Sequence, residues 1–83
     1  MSDQLICCID MFSTTQVLMT PEGEKIIVED FNKLCEFALA YCIEHNVPKL
    51  HFFGEEKYIS GLLERKTELM FGCKNNNVQI EVN

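Results

Sequence analysis

The chain predicts an α+β domain of element order βββαβαβ, built on a mixed five-stranded sheet in the order 3-2-1-4-5 with two helices on one face. Three observations carry that expectation. Apolar and β-branched runs separated by turn residues fill the first thirty positions. Apolar residues then recur at helical spacing from Phe31 onward. The stretch VQIEV, Val78 to Val82, alternates with period two.

Taken in order, the first strand is expected from about Gln4 to Met11, through the apolar run LICCIDMF. A short turn at Ser13-Thr14 leads into TQVLMT, Thr15 to Thr20, whose β-branched residues suit a pleated surface. Pro21-Glu22-Gly23-Glu24 reads as a turn, since Pro presets one backbone angle and Gly accepts a positive φ. KIIVE, Lys25 to Glu29, is the third strand and completes an antiparallel meander.

Asp30 is placed to cap the next helix, its carboxylate accepting from backbone N–H groups that lack a helical partner. Phe31, Leu34, Cys35, Ala38, Tyr41 and Cys42 mark its apolar stripe, and Asn46 with Pro48 ends it. KLHFFG, Lys49 to Gly54, is the fourth strand. A second helix is expected from Glu55 to about Met70, with Gly61 inside it marking close packing. In VQIEV, Val78, Ile80 and Val82 share the buried face, and Gln79 and Glu81 the solvated one. Strands one and three run parallel in this order. Two right-handed crossovers stepping in one direction then set both helices on one face, with strand one central.

Composition bounds the function. The 83 residues make one compact domain, residues 1–83, with a core that is marginal without a staple or a partner. Thirteen acids against seven bases give a net charge of −6, which argues against a surface that grips phosphates. Five cysteines with no Cys-x-x-Cys pair, behind an N-terminus (MSDQL) that lacks an export pattern, point to reduced core thiols in a cytoplasmic protein. No apolar run approaches the length of a membrane span. His45, His51 and Cys42 could be drawn as a zinc site, but their spacing fits no standard finger.

The central strand holds the odd features. Leu5, Cys7 and Ile9 lie on one of its faces and Ile6, Cys8 and Asp10 on the other, while helices cover one face only. Ile6, Cys8, Leu18, Ile27, and His51 with Phe53 (or, in the other phase of that strand, Leu50 with Phe52) are therefore the residues expected on an uncovered apolar face, the kind that marks an interaction site.

The element order and an Asp closing the first central strand resemble the ribonuclease-H-like fold. That resemblance implies a divalent-metal site for Mg²⁺ or Mn²⁺ made from Asp10, Glu36 and Glu55, with Glu56 as a substitute. It would make the chain a nuclease or phosphohydrolase. No Gly-rich loop follows Asp10, and the charge is wrong for a nuclease groove.

The reading favoured by the residues is a non-catalytic protein–protein interaction module without a cofactor. It is expected to bind itself, as a homodimer or larger, or another protein, and neither nucleic acid nor membrane. Small acidic chains of this kind also look like accessory or inhibitor proteins of bacteriophages and mobile elements. The metal-dependent enzyme is the alternative.

Overall fold

A computed structural model describes residues 3–83. Its elements are β1 (Gln4–Cys8), β2 (Gln16–Met19), β3 (Lys25–Val28), α1 (Phe31–His45), β4 (Lys49–Phe53), α2 (Glu56–Glu64), α3 (Thr67–Asn75) and β5 (Gln79–Val82). The strands form one mixed sheet in the order β3-β2-β1-β4-β5. β1, β2 and β3 pair antiparallel, while β4 pairs parallel with both β1 and β5. The expected strand order and the central place of β1 hold.

One core lies between the sheet and the helices. Leu5, Cys7, Leu18, Leu50 and Phe52 come from the sheet, and Leu34, Ala38, Cys42, Ile59, Leu63, Leu69 and Cys73 from the helices. Alternation explains the sheet half, because residues two apart on a strand share a face. Asp30 caps α1 as expected: its Oδ1 accepts from the Lys33 N–H at 2.8 Å. Asn46 closes the helix in the left-handed region at φ 54°, its N–H donating to the Cys42 carbonyl.

The expected second helix is two helices. The Arg65 and Lys66 N–H groups donate to the carbonyls of Leu62 and Leu63, three residues back, which tightens and ends α2 before Thr67 opens α3. The reason lies in the phase of the apolar residues. Ile59 and Leu63 share a stripe, as do Leu69 and Cys73, all four of them buried. At 3.6 residues per turn, the ten-residue step from Ile59 to Leu69, or from Leu63 to Cys73, would turn the second stripe about 80° off the first in one continuous helix. Breaking the helix brings both stripes onto the core.

Leu18 corrects an expectation. It is 0% exposed and belongs to the helix-covered core, so it is no part of an open face. Register decides this: Cys7 stands opposite Leu18 and Cys8 opposite Val17, so Leu18 shares the inward face of Cys7. Val17 and Met19 point outward instead. Gly61 is corrected too, since a Cβ there would meet nothing within 4 Å. The close helix contact is at Gly72, where a Cβ would fall 2.5 Å from Leu39 Cδ2.

Gly54 ends β4 at φ 153°, and a Cβ on it would lie 2.6 Å from the Ile9 carbonyl oxygen. Only glycine lets β4 leave the sheet this close to the end of β1. Among the described residues, no helix is long and apolar enough to cross a membrane.

Candidate protein interface on the helix-free sheet face

Beside a short row of Gln4, Lys49 and Gln79, strand register arranges the open face in two longer rows. One runs Lys25, Met19, Ile6, His51, Glu81 from β3 across to β5. The next runs Ile27, Val17, Cys8, Phe53. The centre is apolar and the flanks of the first row carry opposite charges. Ile27 is 71% exposed and Phe53 39%. Ile6, Val17 and Met19 are half-buried by their neighbours alone, and Cys8 is exposed.

His51 is held in place more than it is displayed. Its ring stacks on Phe53 with centroids 4.1 Å apart, and its Nδ1 lies 2.9 Å from Gln4 Oε1. Its buried Nε2 faces Glu81 Oε2 at 3.5 Å without hydrogen-bond geometry. Lys49 Nζ binds the other oxygen of Glu81 at 2.9 Å. That hydrogen bond and charge hold the Glu81 carboxyl below the usual carboxylate range, with a smaller contribution from His51. The result is a rigid aromatic ledge beside an ion pair.

The loop from Asp10 to Thr15 borders the same end of the sheet. Its organiser is Gln16, which is only 3% exposed. Gln16 Oε1 accepts from the Asp10 N–H at 2.8 Å, and its Nε2 reaches the carbonyls of Asp10, Ser13 and Thr14. This closed loop displays Phe12, at 91% the most exposed large apolar side chain among the described residues. Sequence reasoning missed Gln16, Val17, Met19 and Phe12. Nothing in a lone Gln announces burial; Phe12 could have been found as an aromatic in a turn.

The residues of the metal alternative occupy other positions. Asp10 Oδ1 accepts from the Phe12 N–H at 2.9 Å, forming a turn. Glu55 caps α2 by accepting from the Tyr58 N–H at 2.6 Å. Glu36 is exposed on α1, beside Lys66 and Glu68 of the helix layer, and Glu56 opens α2. Among the described residues no three His, Cys, Asp or Glu side chains gather as a metal-holding group. Cys42 lies in the core under the helices while His51 lies on the opposite sheet face, so the sheet separates the zinc candidates.

The five cysteines are free, and all but Cys8 are buried. Burial pushes the Cys7 thiol well up, further raised by the neighbouring core cysteines, and pushes Cys35 and Cys42 to about 12. These four pack as small apolar residues and offer no nucleophile at neutral pH.

A second apolar surface, a groove of about 530 Å³, runs along α3 and β5 past Met70, Phe71, Lys74, Val78 and Ile80. β5 is an edge strand, as the expected order requires.

Fold and surface together define a two-layer α+β domain with one sheet face left bare. No family model matches the chain, and no curated protein or solved structure is significantly similar to it.

Proposed function

We propose that this chain is a protein–protein interaction module that self-associates through its helix-free sheet face. The observation that carries the reading is the contiguous outward apolar set Ile6, Cys8, Val17, Met19, Ile27 and Phe53 on a sheet whose other face is closed by helices. Exposed apolar surface that is continuous and flat is costly in water, and a covering protein removes it at about 25 cal/mol per Å². The surroundings are suited to docking rather than chemistry. The thiols beneath are held protonated, and the carboxylates of Asp10 and Glu55 are engaged with backbone N–H groups.

The test is solution mass by light scattering on a sizing column, over a hundredfold concentration range in reductant. The expected result is a mass that rises with concentration. Ile6→Asp and Phe53→Ser should each hold the protein at monomer mass without changing its circular dichroism. A strict monomer over the whole range, for the unaltered chain, overturns the reading.

A further inference from the structure

The two charged ends of the open face say how a second copy would sit. We infer that two chains pack sheet to sheet about a two-fold axis running close to the direction of β1, pairing Lys25 of each copy with Glu81 of the other. This deepens the proposed self-association and rests on it.

The inference follows from register. In the row Lys25, Met19, Ile6, His51, Glu81, the cation stands on edge strand β3 and the anion on edge strand β5, with β1 in the middle. A two-fold axis along β1 lays β3 of one copy over β5 of the other and keeps each row over itself. Ile6 then meets Ile6, Cys8 nears Cys8, and Val17 packs over Phe53. Lys25 meets Glu81 twice per dimer. Aligned sheets pack about 10 Å apart with strands within about 30° of each other, a gap that Lys and Glu side chains span together. An axis across the strands would instead lay β3 over β3 and β5 over β5. Passing through this row, it would set Lys25 against Lys25 and Glu81 against Glu81. Like or unpaired charges at an interface disfavour that arrangement.

Size sets the expected strength. Five strands at ~4.8 Å spacing make a face roughly 20 Å wide between its edge strands, at the small end for stable interfaces. Self-association should therefore depend on concentration, with rim charges tuning it in a salt-dependent way.

The test uses two full-length variants, Lys25→Glu and Glu81→Lys. Each alone places like charges opposite each other twice and should weaken self-association roughly tenfold at low salt. Mixed one to one, they restore both pairs, and the mixture should associate about as tightly as the unaltered chain. Sedimentation velocity with one variant fluorescently labelled reads the hetero-pair directly. A chain that stays monomeric throughout overturns self-association itself. A chain that dimerises, but whose mixed variants associate no better than each alone, overturns this geometry and leaves self-association standing. Glu81→Lys also removes the bond to Lys49, so a second reading guards against a folding defect. A maleimide should react with Cys8 more slowly in the unaltered dimer than in the monomer, and the fast reaction should be absent from Cys8→Ser. A dimer in which Cys8 reacts as fast as in the monomer overturns the arrangement.

Discussion

Gln16 is the residue on which the edge of the candidate interface hangs. Its side chain makes four hydrogen bonds to backbone groups of the loop that presents Phe12. A buried polar group that loses its partner costs the desolvation of what it leaves behind, and here that is several backbone atoms at once. Gln16→Ala should therefore destabilise the fold by about 2 kcal/mol, lowering the melting temperature by roughly 10 °C for a domain of this size. Gln16→Glu should be at least as harmful, because it turns the donor that serves three carbonyls into an acceptor. Thermal denaturation followed by circular dichroism checks both, and an unchanged melting temperature would show that water replaces the side chain. Asp10 teaches a related lesson. Its sequence position suggests the end of the first strand, but β1 stops at Cys8 and Asp10 lies in the loop, where its carboxylate accepts from the Phe12 N–H.

The helices show why local pattern and tertiary packing can part company. Gly61 and Gly72 both sit inside helices, yet their surroundings differ. Gly61 faces open space, while Gly72 sits against Leu39 of α1. Gly61→Ala should stabilise by up to ~1 kcal/mol, since alanine loses less backbone freedom on folding. Gly72→Ala should destabilise by about 1–2 kcal/mol, because Leu39 must move and the contact between α1 and α3 must open. Melting temperatures that shift in opposite directions would bear this out; equal shifts would mean that α1 and α3 are not so closely packed. The break at Arg65 and Lys66 was also legible, though only in hindsight. Lys66 stands where a continuous apolar stripe needed an apolar residue, and the stripe resumes out of phase at Leu69.

For the whole molecule, the cysteines make a built-in probe of how the open face is used. Cys8 is exposed while Cys7, Cys35, Cys42 and Cys73 are buried. In native buffer one of the five thiols should react quickly with an aromatic disulfide reagent, and all five after unfolding. If the face is covered by a second copy, the fast rate should fall as protein concentration rises through the association range. A rate that stays constant while the mass doubles would move the contact elsewhere, with the groove between α3 and β5 the next surface to test.

The strand order and the outward places of Ile6 and Cys8 are legible in the sequence alone, whereas β4, apolar through Leu50, Phe52 and Phe53, leaves Phe52 and Phe53 both open. The legible features follow from period-two alternation and turn residues, which act over a few neighbouring positions, and from the handedness of crossovers, which acts over one connection at a time. The sequence left the phase of β2 open too. QVLM is apolar at three successive positions, so alternation could not choose between Leu18 and the pair Val17 and Met19. Only pairing Cys7 with Leu18 across the sheet chose, by assigning Leu18 to the core. In the same way, only the sheet brought Lys25 and Glu81, fifty-six positions apart in the numbering, to opposite ends of one row. Register couples distant strands through backbone hydrogen bonds, and no local pattern carries that information.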